Sequence, residues 1–108
     1  LTPGMYRVSA AWFAHANRAT NAPYSVFDGI TNRGTVRLNQ ELVPNDRVDA
    51  GTSFEDLGSA FTITGTTLVV KLTSDANEYV IADGVRIERV GSLLTSPTAP
   101  AVSTSAPP

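Results

Sequence analysis

Short apolar–polar alternations, separated by turn-forming residues, constrain the fold of this chain more than any other feature. Side chains alternate between two faces in a strand, so a period of two predicts strands buried on one side. Gly, Pro, Asn and Asp interrupt the runs about every 8–12 residues, and helix-type spacing is poor. These signals predict an all-β, jelly-roll-like antiparallel β-sandwich. The predicted strands are residues 5–13, 24–27, 35–40, 59–64, 67–72, 79–82 and 85–90.

Turn signals fall between these runs. The sequence predicts turns or bulges at Asp28-Gly29, at residues 32–34 and at Asp83-Gly84. Gly65 lies between two strand runs and predicts a tight hairpin. Residues 41–53 are mostly polar and are predicted to form a long loop.

The last seventeen residues, 92–108, differ from the rest in composition. They hold four of the seven prolines and no charged residue. Such a segment has too little apolar surface to offset the entropy of ordering, so we predict a sandwich over residues 1–91 and a Ser/Thr/Pro-rich tail over 92–108.

Three interpretations fit this tail: an interdomain linker, a stalk that carries O-linked sugars, and a segment that adds a strand to another copy of the chain. The candidate O-glycosylation positions are Thr95, Ser96, Thr98, Ser103, Thr104 and Ser105. The candidate intersubunit contacts are Leu93, Leu94 and Val102. Prolines restrict any strand pairing in the tail to edge positions.

Composition excludes several classes of function. The net charge is −2 and only 17% of residues are charged, which argues against a nucleic-acid partner. No apolar run approaches the roughly 20 residues of a membrane-spanning helix, so no membrane span is expected. The chain has no cysteine, which excludes disulfides and thiolate metal sites. We expect neither a metal nor another cofactor.

Catalytic signals are weak. His15 is the only histidine, and no nucleophile motif accompanies it. Asp75, Asn77 and Asp83 carry the oxygen ligands that calcium prefers, but their spacing does not match a calcium loop and favours turn roles. The sequence therefore predicts a non-enzymatic protein.

Two long stretches and one short one carry a family resemblance. They are residues 15–26 (HANRATNAPYSV), residues 75–87 (DANEYVIADGVRI) and residues 36–40 (VRLNQ). Together they resemble the golvesin C-terminal-like domain, also called the xanthan lyase carbohydrate-binding-like domain. The resemblance implies an extracellular bacterial β-sandwich, appended to larger secreted or surface proteins. It further implies a role in polysaccharide or surface attachment without catalytic residues.

The resemblance has departures. Phe54 stands where the family tends to have Trp. Family domains usually begin some tens of residues earlier, with one or two further strands. The run that begins near Leu1 is expected to be a central strand, so the resemblance implies a sandwich that lacks its first strands.

A polar loop at residues 17–21 admits two interpretations. It can bind sugar hydroxyls, or it can satisfy its own backbone, with Arg18 bridging a carboxylate such as Asp75 or Asp83; the structural role is favoured. Tyr24, Phe27 and Phe54 are the aromatic residues expected to be exposed, and the others are expected in the core. The candidate carbohydrate-binding residues are Asn17, Arg18, Asn21, Tyr24 and Phe54.

Two functions follow. The first is a structural subunit of an extracellular bacterial fibre or array, whose partners are other copies of itself. The alternative is a carbohydrate-binding accessory module of a secreted or surface protein, with polysaccharide as its partner.

Overall fold

The structure, a computed structural model, describes residues 1–93, and within them the chain is all-β with two antiparallel sheets. This confirms the predicted fold class. Of the predicted tail, only Ser92 and Leu93 lie within the described residues. The strands are β1 Gly4–Ala11, β2 Ala22–Asp28, β3 Thr31–Leu38, β4 Arg47–Asp49, β5 Thr52–Asp56, β6 Phe61–Ile63, β7 Leu68–Leu72 and β8 Gly84–Gly91.

β1 is the central strand of the larger sheet. β8 runs along one edge of β1, while β5 and β6 share the other edge, and β4 pairs with β5. In the smaller sheet β2 lies between β3 and β7. These pairings place β8 at an edge of the larger sheet and β7 at an edge of the smaller one.

The core lies between the two central strands, as alternation predicts. Tyr6, Val8 and Ala10 of β1 are buried, and so are Tyr24 and Val26 of β2. Each fully buried large aliphatic side chain contributes roughly 1.5–3 kcal/mol to folding. The remaining buried apolar residues of the core cluster are Trp12, Ala19, Ala22, Leu57 and Ile63.

The prediction of a hairpin at Gly65 is wrong. β6 pairs with β1 and β7 pairs with β2, so residues 64–67 cross from one sheet to the other. The buried carboxylate of Asp28, at the end of β2, fixes this crossing. It accepts the Thr64 N–H and hydroxyl at 2.8 Å each and the Gly65 N–H at 3.0 Å. Local periodicity specifies a strand but not its sheet, which explains the error.

The prediction of a single loop over residues 41–53 is also wrong. A short hairpin, β4–β5, occupies its second half, with Ala50 at φ 51° and Gly51 at φ 80° in the turn. β4 lies at a sheet edge and has no buried face, so it lacks the apolar alternation that marks strands.

The run at residues 79–82 forms no strand. Its single ladder contact is a parallel bridge between Arg18 and Tyr79. The backbone of Ile81 bonds instead to the side chain of Gln40: its N–H donates to Oε1, and its carbonyl accepts from Nε2, both at 2.9 Å. A side chain thus replaces the strand partner that an apolar run otherwise needs.

Two of the three predicted turn or bulge signals are confirmed. Gly29 has φ 61° in the turn between β2 and β3. The register of β2 against β3 shifts between Val26 and Phe27, so Arg33 forms the bulge. β8 begins at Gly84.

Candidate functional site

Two loops meet at one end of the sandwich, and we call residues 12–21 and 73–83 together the loop end. The Ala19 N–H donates to the Tyr79 carbonyl at 2.7 Å. Asn77 joins the loops through both atoms of its side-chain amide. Its Oδ1 accepts the Thr20 N–H at 3.1 Å and its Nδ2 donates to the Thr20 hydroxyl at 2.7 Å, while Asn21 Oδ1 accepts the Asn77 N–H at 3.0 Å. These amides therefore fix the loops.

Arg18 does not form the expected bridge to a carboxylate. Its guanidinium donates to Asn17 Oδ1 at 2.9 Å and to the Phe13 carbonyl at 3.3 Å. Arg37, from β3, forms the ion pair with Asp75 that was expected of Arg18. Its Nη2 lies 3.2 Å from Asp75 Oδ2 and its Nη1 donates to the Asp75 carbonyl at 2.9 Å. Arg18 was expected in this role because it lies in the polar loop itself, but position in the chain does not decide which arginine reaches Asp75.

Tyr24 belongs to the core rather than to the surface. Its side chain is 2% exposed, its ring packs 6.5 Å from that of Trp12, and its hydroxyl accepts a hydrogen bond from Gln40 Nε2 at 2.9 Å. Burial raises the pKa of Tyr24; the Gln40 hydrogen bond opposes this rise and the carboxylate of Asp83 adds to it. A buried ring is not available for stacking on a sugar.

The structure does not gather the five candidate carbohydrate-binding residues into one surface. Asn17, Arg18 and Asn21 lie in the loop end, and Tyr24 lies in the core. Phe54 is half-buried in β5, beside Gly84, on the outer face of the larger sheet.

Two exposed aromatic residues at the loop end were not expected. Phe13 is 72% exposed and Tyr79 is 71% exposed. The Arg18 side chain donates to the Phe13 carbonyl, and the Arg18 backbone forms a bridge with Tyr79. The alternation indicated that Phe13 is exposed, because it follows the inward-facing Trp12. No such pattern indicated that Tyr79 is exposed, because its surroundings in the sequence are typical of a strand. Both were nevertheless expected in the core, because only Tyr24, Phe27 and Phe54 were named as exposed aromatic residues.

A second feature is the gap between β7 and β8, which we call the open side. It is lined by Val70, Leu72, Ala82 and Val85 and reaches the buried Tyr24. Within residues 1–93, β7 pairs only with β2 and β8 pairs only with β1.

Apolar side chains of β8 remain uncovered at the open side. Val85 and Ile87 lie opposite Ala10 and Val8 of β1, so they face the core. Their partners on β1 are 0% and 1% exposed, but Val85 and Ile87 are each 45% exposed. The inner face of β8 therefore extends beyond the cover that β7 supplies.

The outer face of β8 carries charges. Arg86 donates to Asp49 at 2.6 Å and to Glu88 at 2.9 Å, and Glu88 lies 3.1 Å from Arg7. The hydrogen bond from Arg86 is the main reason that the pKa of Glu88 is lowered. β8 thus has apolar side chains on its inner face and paired charges on its outer face.

Nearby, Arg47 binds Asp56 through two hydrogen bonds, at 2.8 and 2.7 Å. Ser9, which is 0% exposed, donates to the same carboxylate at 2.6 Å. Arg47 first, and Ser9 after it, lower the pKa of Asp56 to about 2, against the opposing effect of burial.

Over residues 1–93, no group of three or more His, Cys, Asp or Glu side chains is placed to hold a metal ion. The same residues include no helix long and apolar enough to cross a membrane.

Comparison with known proteins gives one match. No curated protein and no solved structure matches the chain. The model of the Golvesin C-terminal domain matches residues 1–89, which span all eight strands except the last two residues of β8. The motifs at residues 15–26 and 75–87 fall within this match and form most of the loop end, the first part of β2 and the start of β8. The chain therefore belongs to the Golvesin C-terminal domain family.

Proposed function

We propose that this chain is a non-enzymatic structural subunit of an extracellular bacterial surface fibre or array, which assembles with other copies of itself. The observation that carries the proposal is the open side. There, two strand edges without a described partner border half-exposed apolar side chains that face the core. Unpaired strand edges are templates for pairing with another chain, and natural proteins usually block them.

Family membership supports the extracellular location and the non-enzymatic role in this proposal. Golvesin-type domains are found in secreted or surface proteins and are accessory domains without catalytic activity. An extracellular surface module needs contacts rather than chemistry, and an open apolar edge supplies a contact.

The tail supplies a second contact in this proposal. A polymer needs two contacts per subunit, because a single self-complementary patch closes into a dimer. Leu93 is half-buried where the described chain ends. The other candidate contacts, Leu94 and Val102, lie outside the described residues, as do all the candidate O-glycosylation positions, Thr95, Ser96, Thr98, Ser103, Thr104 and Ser105. Sugars on these positions are part of the proposal and decorate the fibre surface.

The experiment compares assembly of the full chain with that of two matched variants. We expect the wild type to form particles larger than a dimer, seen by sedimentation velocity and negative-stain electron microscopy. Ile87→Lys places a charge on the open side and abolishes these particles. Ile30→Lys changes the same residue type at a turn position that is 97% exposed, and it assembles like the wild type. A wild type that stays monomeric up to millimolar concentration contradicts the proposal.

A second candidate function is carbohydrate binding at the loop end. Phe13 and Tyr79 favour it, because exposed aromatic rings on well-fixed loops are suited to packing against sugar rings. Arg18 and Asn17 lie beside them and offer donors and acceptors for hydroxyl groups.

A glycan array tests this candidate. Binding of a polysaccharide by the full chain that is lost in Tyr79→Ala and Phe13→Ala, but kept in Phe54→Ala, supports it. Equal binding by all three variants and the wild type contradicts a site at the loop end.

A further inference from the structure

β8 presents an edge on which another strand can pair. Within residues 1–93 only β1 lies beside β8, so the backbone groups on its other edge have no ladder partner there. The side chains alternate along this edge. Val85, Ile87 and Arg89 face inward, and Arg86 and Glu88 face outward.

We propose that this edge pairs with β8 of a second copy, antiparallel and across a two-fold axis, with Ile87 opposite Ile87 of the second copy. The inference rests on the proposed self-assembly and names its contact. Pairing of this kind joins two five-stranded sheets into one continuous sheet.

Face matching restricts the register. In an antiparallel pair, directly opposite residues point to the same side of the sheet, and a shift by one residue moves apolar side chains to the wrong face. A two-fold pair must therefore be centred on one residue. Arg86, Ile87 and Glu88 are the three positions near the middle of the strand on which it can be centred.

Charge then selects among these three centres. Centring on Arg86 places two arginines directly opposite each other, and centring on Glu88 places two glutamates opposite each other; both arrangements are repulsive. Centring on Ile87 places Arg86 of each chain opposite Glu88 of the other. Two attractive pairs then form on the outer face.

The same register also covers the inner face. Ile87 meets its own copy, and Val85 lies opposite Arg89 of the second copy, whose methylene groups can cover it. Both aliphatic residues are 45% exposed in the single chain, so both gain cover from the pairing. One register thus satisfies both faces of β8.

Disulfide trapping tests the register directly, because the chain has no cysteine of its own. We expect Ile87→Cys to form a disulfide-linked dimer under mild oxidation. Val85→Cys is the matched control, since its exposure is equal. In the proposed register the two copies of residue 85 are four residues apart along the strands, about 13 Å, beyond the roughly 7 Å that a disulfide can span. Val85→Cys alone therefore forms no disulfide-linked dimer, whereas its mixture with Arg89→Cys cross-links.

Charge exchange provides a second test. Arg86→Glu alone and Glu88→Arg alone each place like charges opposite each other, and we expect dimerisation to weaken on the order of tenfold or more. An equimolar mixture of the two variants restores opposite charges at both pairs, so association returns only in the mixture. Thermal unfolding of each variant checks that the fold survives, because Arg86 also binds Asp49 within the chain.

Several outcomes overturn the inference. Cross-linking of Val85→Cys as readily as Ile87→Cys contradicts the register. Cross-linking of a cysteine at position 87 to one at position 94 or 102 shows that the tail covers this edge instead. A wild type that assembles while Ile87→Cys does not cross-link refutes the β8 pairing and leaves the proposed function intact. A wild type that never self-associates refutes the proposed function itself.

Discussion

At the scale of single residues, Gln40 is the side chain on which the loop end depends. It is 0% exposed and bonds to the Tyr24 hydroxyl and to both backbone groups of Ile81. Gln40→Leu leaves these groups unpaired, so we expect the free energy of unfolding to fall by about 2–4 kcal/mol. Urea unfolding measures this loss. Asn45→Leu, at an exposed position, changes stability by less than about 0.5 kcal/mol. Equal stability of both variants contradicts the role of Gln40.

The carboxyl group of Asp28 makes the stability of the fold depend on pH. Arg33 first, and then Thr64, hold the pKa of its carboxyl well below the ordinary value through hydrogen bonds. Because the pKa is lower in the folded state, the stabilisation is present above the ordinary value of about 4 and is lost as pH falls toward the folded value. Asp28→Asn therefore lowers stability at pH 7.

The gap between wild type and Asp28→Asn shrinks as pH falls below about 4. Urea midpoints measured between pH 7 and pH 2.5 follow this gap, and Asp83→Asn, at an exposed position, is the control. A gap that stays constant over the whole pH range rules out ionisation as the cause.

At the scale of elements, the β4–β5 hairpin contains a correctable strain. Ala50 has φ 51°, a left-handed conformation that costs most residues about 1–2 kcal/mol and that Asn tolerates better. Gly51 follows it, so Ala50→Asn creates the Asn-Gly pair typical of such hairpin turns. We expect stability to rise by roughly 0.5–1 kcal/mol in urea unfolding. Ala60→Asn, at another exposed position, gives no such gain; a loss in Ala50→Asn contradicts this description of the turn.

The strands with one buried face were predictable from the sequence, because burial imposes alternation on them. β1 and β7 follow this rule, and their inward-facing residues were named correctly. β2 was predicted as a strand, but its inward-facing Tyr24 was expected to be exposed. β4 was not predictable, since it buries no face. The sheet to which β7 belongs was not predictable either, because the crossing depends on the long-range contacts of Asp28 with Thr64 and Gly65.

The surface was harder to predict than the strands. Tyr24 was expected to be exposed and Tyr79 to be buried, and the structure reverses both. Tyr24 lies in β2, between β3 and β7, and its alternation with the buried Val26 places it in the core. Tyr79 lies in the loop end, which is fixed by Gln40 and Asn77 rather than by a ladder, so an apolar run there gives no information on burial.

At the scale of the whole molecule, the open side distinguishes this sandwich from one whose edges are all covered. Val85 and Ile87 face the core but remain half-exposed, and the edge beside them has no described partner. Association through this edge extends a sheet and covers apolar surface in one step. No local pattern in the sequence predicts this gap, because it arises from which strands happen to stand at the two edges.

The tail gives a further prediction at this scale. If it supplies the second contact, the full chain carrying Leu94→Asp and Val102→Asp stops at the dimer formed through β8. Sedimentation velocity then reports a dimer rather than a polymer. Thr95→Ala and Thr98→Ala, which remove hydroxyl groups of the same segment, still polymerise. A polymer of unchanged size in the aspartate variant excludes the tail as the second contact.

The central claim is that copies of the chain cover one another's β8 edge, and amide hydrogen exchange tests it most directly. Exchange of the β8 amides that are not bonded to β1 is measured in the full chain at low and at high protein concentration. We predict that these amides exchange freely when dilute and become protected as particles form, while the amides of the turn at Gly29 and Ile30 do not change. Exchange of the β8 amides that is the same at both concentrations, with particles present, would contradict the claim.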